Sequence, residues 1–260
     1  RQCPSGILPS DTESLRTRRS VNSANLKEPY KLSIPLVLTT DAGQLTHTLE
    51  LSSPTHRMTI PAPKGTTRLI SLAFDPEYNL FRRLNRAELA PCLGMTMSDQ
   101  NLMLVYPSGG TPEENTFYQQ VAERVKSTRN AIAKADKDVT EADLKSNSLL
   151  LLGHTKINGV TAKLPAVLAS VSSNFSIQDG NFTVQGASYQ EPKYALMVSE
   201  RNPYNADKYL TVFFGLSPAA AQRPGRIIFF YRWDQYLIFE DGRMSKQGSF
   251  APPLNALEYR

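Results

Sequence analysis

The sequence predicts an α/β protein with a separate all-β domain: a small β-sandwich followed by a three-layer, Rossmann-like α/β domain. Three observations carry this. Apolar and polar residues alternate between residues 32 and 74, the period of half-buried strands. Two short unbroken apolar runs, at 102–106 and 149–152, have the composition of strands buried on both faces. Between these runs stand two helix-start signatures, at Thr111 and Thr140.

Residues 1–28 are rich in Ser, Arg, Asn and Pro, carry Arg16, Arg18 and Arg19, and show no periodicity, so they read as a linker or an arm draped on a neighbour. The first domain is expected over 29–97. Leu32, Ile34, Leu36 and Leu38 alternate with less apolar neighbours, Asp41-Ala-Gly43 supplies a turn, and Leu45 to Leu51 resumes the alternation. His56–Ile60 and Arg68–Phe74 read as two further strands, separated by Pro61, Pro63 and Gly65. Four short strands at this spacing imply a small β-sandwich or sheet. At Asp75-Pro76 the ladder must stop, because Pro has no amide to donate. Asp suits an N-cap and Pro the first helical turn, so a short helix is expected, with Tyr78, Phe81 and Leu84 on one side and Arg82 and Arg83 freer to reach solvent or Asp75. Asn85 and Glu88 repeat a cap-like signature before Pro91. This stretch is expected to hinge two domains, with Asp75, Pro76, Arg82 and Arg83 as its structural residues.

The second domain is expected over 98–260. Leu102–Tyr106 is a buried strand. Thr111-Pro-Glu-Glu114 then combines an N-cap, Pro at the first helical position and a capping-box Glu, and Phe117, Val121 and Val125 form one apolar stripe. Ala131–Ala135 is the next strand, Thr140–Leu144 a short capped helix, and Ser148–Leu152 another buried strand. Strand, helix, strand, helix, strand is the order that right-handed crossovers build into a parallel sheet with helices on both faces. Phe175–Ile177 and Phe182–Gln185 flank Asp179-Gly-Asn181 as a hairpin. Tyr194–Val198 and Tyr209–Phe214 read as interior strands, Arg226–Gln235 fits helix or strand equally, and Tyr236–Phe239 reads as an edge strand before Asp241-Gly242.

Composition sets bounds on function. With 40% hydrophobic and 20% charged residues the chain is of globular type, and no apolar run reaches the length of a membrane span. A net charge of +5 over 260 residues is too dilute to mark a nucleic-acid face. Cys3 and Cys92 fit no zinc spacing; one disulfide between them and two free thiols both stay open. Asn174-Phe-Ser and Asn181-Phe-Thr match the glycosylation sequon, which matters only in a eukaryotic secretory setting. The chain begins at Arg1 with no initiator Met and no signal-peptide stretch, so it is expected to be part of a longer polypeptide.

The most enzyme-like feature is Tyr106-Pro-Ser-Gly-Gly-Thr111, between a buried strand and a helix start. Free amides and the helix dipole make such a loop an anion site, and open parallel sheets bind ligands beyond their strand carboxyl ends. Gly153-His-Thr-Lys-Ile-Asn158 follows the third strand and should emerge on the same edge. The candidate ligand-binding residues are therefore Ser108, Gly109, Gly110, Thr111, His154 and Asn158. Against chemistry, neither a dinucleotide nor a nucleotide-phosphate fingerprint is present, G-x-S-x-G and H-E-x-x-H are absent, and two of the three histidines, His47 and His56, fall in the first domain. No pair of carboxylates is singled out for glycosidase work. No catalytic residue, metal or cofactor is assigned. The C-terminal aromatics, Phe213, Phe214, Phe229, Phe230, Tyr231, Trp233, Tyr236 and Phe239, read first as a core cluster; an exposed part of it would indicate a protein or carbohydrate interface.

Leu69-Ile-Ser-Leu-Ala-Phe74 running into Asp75-Pro-Glu-Tyr-Asn-Leu-Phe-Arg-Arg-Leu84 and Ala87-Glu-Leu-Ala-Pro91 resembles a strand-to-helix junction in accessory C-terminal regions of bacterial extracytoplasmic proteins. Peptidase-like chains of the M1 type and ChaN-type lipoproteins carry such regions. Leu149-Leu-Leu-Leu-Gly-His154 with Asn158, and Ser199-Glu-Arg-Asn-Pro203, is similar to the Rossmann-like module beside that junction. The resemblance spans about residues 30–240, and its motifs are structural. Gly153-His154 stands where the relatives tend to have Gly-Gly or Gly-Pro, and the zinc motif of the peptidases and a haem-binding core are both absent. The resemblance implies an accessory part without its catalytic part: a non-catalytic, extracytoplasmic binding or scaffolding module for a protein or cell-envelope ligand. The alternative is a small-ligand-binding or hydrolytic α/β enzyme working at Ser108, Gly110 and His154.

Overall fold

The computed structural model describes residues 31–53, 58–84, 89–168, 174–250 and 256–258. The chain divides into two compact units, Arg1–Leu89 with Pro253–Arg260, and Ala90–Pro252. The expected arm, Cys3, His56 and the Asn85/Glu88 signature lie outside the described residues.

In the first unit, β1 (Leu32–Thr40) runs antiparallel to β2 (Gly43–Leu51), with Leu38 opposite Leu45 and Leu36 opposite His47. On its other side β1 pairs with β3 (Leu69–Phe74), and a returning strand, Ala256–Glu258, lies beyond β3. Among the described residues the unit holds this single four-stranded sheet, so the second layer that a sandwich needs is not seen there. Alternation places Leu36, Leu38 and Leu72 on the buried face, with Leu45 and Leu49 packed beside them. Met58 and Ile60 join that cluster without entering a ladder, which corrects the strand expected at 56–60. Pro61 and Pro63 close that stretch and cannot supply ladder amides. Asp41 accepts hydrogen bonds from the Thr67 hydroxyl and from the Thr67 and Arg68 amides; these bonds, the hydroxyl foremost, hold its carboxyl below the usual value.

The helix expected after Asp75 is also corrected: residues 76–84 are turn and irregular chain. Asp75 and Tyr78 have φ of 48° and 56°, incompatible with a right-handed helix. Asp75 is buried, and its carboxylate accepts the Asn79 amide at 2.7 Å and the Leu80 amide at 3.3 Å. Arg82 Nε reaches the same carboxylate at 3.1 Å, and its guanidinium lies 5.7 Å from the Tyr78 ring centroid. The predicted Asp–Arg contact therefore forms, but inside a loop organised around the carboxylate. Arg83 is exposed, and Phe81 projects fully into solvent.

The second unit opens with helix α1 (Leu93–Ser98), whose Leu93 and Met97 belong to the core of that unit although the first domain was expected to reach residue 97. Buried Cys92, a free thiol, precedes it. Then follow β4 (Leu102–Tyr106), α2 (Pro112–Thr128), β5 (Ala131–Ala135), α3 (Glu141–Ser146) and β6 (Ser148–Leu152). The expected capping box of Thr111 with Glu114 forms, and the cap expected at Thr140 is completed as a box by Asp143. β5, β4 and β6 lie side by side and parallel, as the strand–helix alternation requires. After the short helix α4 (Leu164–Leu168) come β7 (Phe175–Gln178), β8 (Asn181–Val184) and β9 (Ala187–Tyr189), which form a three-stranded antiparallel sheet. The expected hairpin at Asp179-Gly180 is its first turn.

β10 (Tyr194–Arg201) and β11 (Tyr209–Gly215) extend the large sheet, with β11 parallel to β6 and β10 antiparallel to β11. The sheet is thus mixed: β4, β5 and β6 are parallel as expected, and β10 runs antiparallel to β11. Residues 202–208 are too few for a crossover, which needs about a dozen, so the chain must turn back. Helix α5 (Pro218–Arg226), β12 (Tyr236–Glu240) and β13 (Arg243–Gly248) complete a seven-stranded sheet. β12 is not its edge, because β13 pairs outside it through the Asp241-Gly242 turn, where both residues have positive φ. Residues 226–235 are neither strand nor α-helix beyond the last residue of α5; they hold one 3-10 turn at Ile228–Phe230.

Alternation along the buried strands sends side chains to two cores. Leu102, Leu104, Leu150 and Leu152 pack with α1, α2 and α5 on one face of the large sheet. Met103, Val105, Leu149 and Leu151 pack with α3, α4 and the small sheet on the other. The expected runs are apolar throughout because both faces are covered.

Candidate functional site

β5 and β6 flank β4 on opposite sides, so the chain reverses direction across the sheet at β4. Ligands of open α/β sheets bind at the carboxyl ends of the strands at such a reversal. The loops that leave β4 and β6 there carry all six candidate residues, and the two loops touch. Gly109 donates its amide hydrogen to Ile157 O at 2.9 Å, and a Cβ on Gly109 would lie 3.0 Å from that oxygen. Gly153, at φ 93°, packs so closely that a Cβ would meet Pro107 Cγ at 3.2 Å.

The groups that would hold an anion are occupied by the chain itself. The Gly109 amide is bound to Ile157, the Gly110 amide to Asn115 Oδ1 at 3.0 Å, and the Thr111 amide to Glu114 Oε2 at 3.1 Å. Asn115 closes the loop from the other side, donating through Nδ2 to Gly110 O and Ser108 O. Glu113 and Glu114 place negative charge in the first turn of α2, where a bound anion would be repelled. The Ser108 hydroxyl-bearing residue is exposed on the rim.

Asn158 is wholly buried and uses both ends of its amide. Nδ2 donates to Leu152 O at 2.8 Å and to Val105 O at 3.4 Å, linking the ends of β6 and β4. Oδ1 accepts the Val160 and Thr161 amides, at 2.9 and 3.0 Å, and so caps the turn that follows. Its role is to clamp the edge, and no hydrogen-bonding capacity is left for a ligand beyond these four bonds. Asp136, at the end of β5, ties in the same loop by accepting the Gly159 amide at 2.6 Å.

His154 is half-buried, its ring edge-on to Phe214 at 6.5 Å. Nδ1 accepts the Lys156 amide at 3.1 Å, so the neutral ring carries its proton on Nε2. That nitrogen is a donor; it offers no lone pair to activate a serine. Burial lowers the affinity of His154 for a proton below the ordinary histidine value of 6.5, with Lys156 adding to the effect and Glu114 and Asp179 opposing it. The unfolded chain therefore takes up this proton first as pH falls. The contribution of neutral His154 is full above about pH 6.5 and is lost as pH drops below it. His154→Asn keeps an acceptor for the Lys156 amide and is expected to flatten the loss of stability as pH falls below about 6.5. An unchanged pH profile in urea titrations would contradict this placement.

The structure also divides the aromatic cluster. Phe213, Phe214 and Phe239 are fully buried, whereas Phe230 and Trp233 are 79% and 82% exposed. Sequence reasoning placed these two in the core first, because composition does not show which way a short turn points its side chains. No protein-family model matches the chain, and no curated protein sequence matches it.

Proposed function

We propose that the chain is a non-catalytic binding or scaffolding module that recognises a protein or cell-envelope ligand outside the cytoplasm. One observation carries this reading: Phe230 and Trp233 stand out from an anchored loop rich in arginine, the residue types that dominate recognition surfaces. The switch-point edge, by contrast, spends its amides on Ile157, Asn115 and Glu114, so the small-ligand or hydrolytic alternative at Ser108, Gly110 and His154 draws no support from geometry. The resemblance to accessory regions of bacterial extracytoplasmic proteins supports the location and the place within a longer polypeptide. On the same reading the first unit is the separate all-β part, and the second is a Rossmann-like unit extended by antiparallel strands.

Sedimentation with isolated bacterial envelope fragments tests the proposal. The chain is expected to co-sediment saturably, Phe230→Ser with Trp233→Ser to weaken this by about tenfold or more, and His154→Asn to leave it unchanged. Equal binding by the double variant and the parent chain would contradict the assignment of this loop.

A further inference from the structure

The loop leaving α5 has two opposed sides. Ile228 is fully buried, Phe229 and Tyr231 pack against the core, and Tyr231 meets Phe239 edge-on at 4.9 Å. The backbone is pinned where Gly94 donates its amide hydrogen to Arg232 O at 2.9 Å; a Cβ on Gly94 would approach that oxygen to 2.7 Å. Phe230 and Trp233 are thus presented by a fixed support, which limits the ordering lost on contact with a partner.

Charge along the same stretch is mostly positive, with half-buried Asp234 directly after Trp233. Arg223 and Arg226 are exposed in the last turn of α5, Arg124 of α2 donates to Arg226 O at 3.0 Å, and the Arg232 guanidinium lies 6.0 Å from the Trp233 ring centroid. No Asp or Glu occurs in the sequence between Asp207 and Asp234. Glu123, the acidic neighbour on α2, is paired with Lys126 at 3.4 Å.

We propose that this loop docks on an anionic lipid surface, with Phe230 and Trp233 entering the headgroup region and the arginines meeting lipid phosphates. The inference rests on the binding-module reading and names its ligand. Projecting rings would need a matching hollow in a protein partner, whereas a lipid interface admits them without one and favours tryptophan at headgroup depth. Guanidinium groups bind phosphate oxygens in pairs, and basic residues beside an anionic leaflet add attraction that salt weakens.

Trp233 is the sole tryptophan of the chain, so its fluorescence reports this contact alone. The full chain is titrated with vesicles of phosphatidylglycerol and phosphatidylcholine in equal parts, and with phosphatidylcholine alone. The emission is expected to shift to the blue, with co-sedimentation, only on the anionic vesicles, and the shift to weaken at high salt. Phe230→Ser keeps the reporter and should weaken partitioning by about tenfold, the scale of losing one buried aromatic side chain. Arg124→Glu with Arg226→Glu should abolish the shift, with the unfolding midpoint of each variant confirming an intact fold. Emission unmoved at saturating anionic vesicles would overturn the inference. If the chain still binds envelope fragments in that case, the lipid identity fails and the binding-module reading stands; if it binds neither, both fail.

Discussion

Asn158→Ala is expected to lower the stability of the second unit by about 3 kcal/mol, well beyond an ordinary surface truncation. The change removes four hydrogen bonds at a wholly buried position and leaves the Val105 and Leu152 carbonyls and the Val160 and Thr161 amides without this partner. Urea midpoints measure it. Asn158→Asp separates the two ends of the amide: it retains an acceptor for the two amides but sets a carboxylate against two carbonyls, so its cost should grow as pH rises through the carboxylate range. A loss below about 1 kcal/mol for Asn158→Ala would mean that the edge does not depend on this clamp.

Asp75→Ala is expected to cost about 3 kcal/mol in the first unit, since one truncation removes the acceptor of two amides and the buried partner of Arg82. A simple helix cap would cost about 1 kcal/mol, so the size of the effect distinguishes the observed loop from the expected helix. Asp75→Asn keeps an oxygen acceptor and tolerates φ 48°, and should fall between the two. Hydrogen exchange of the Asn79 and Leu80 amides localises the loss: they should lose protection while β4 and β6 keep theirs.

The elements legible in the sequence are those fixed by neighbours along the chain. The Thr111/Glu114 and Thr140/Asp143 boxes act within one turn, and the apolar runs of β4 and β6 record burial on both faces. α5 carried a readable start in Ser217-Pro218, since the Ser217 hydroxyl accepts the Ala220 amide at 3.3 Å, but its small, apolar first turn gave no stripe. β13 is Arg-Met-Ser-Lys-Gln-Gly, exposed along most of its length, so only the Asp241-Gly242 turn announced it. The loop after Asp75 misled because Asp-Pro begins helices and also turns, and the buried Asp75 carboxylate is met by Arg82 seven residues away. At the candidate site, the convergence of the two loops followed from the strand order. Their closure did not, because it depends on which of several side chains, Asn115, Glu114 or Asn158, folds back onto the amides.

That the strand-end edge is closed by the chain's own groups, and that recognition is proposed at the Phe230/Trp233 loop instead, is open to direct measurement. Amide chemical shifts of the isotopically labelled chain during titration with inorganic phosphate address it most directly. The Gly109, Gly110 and Thr111 amide signals are expected to stay in place up to high phosphate, with shifts concentrated near Arg226 and Arg232. Saturable shifts at Gly109, Gly110 and Thr111 would contradict it and return the anion site to that edge.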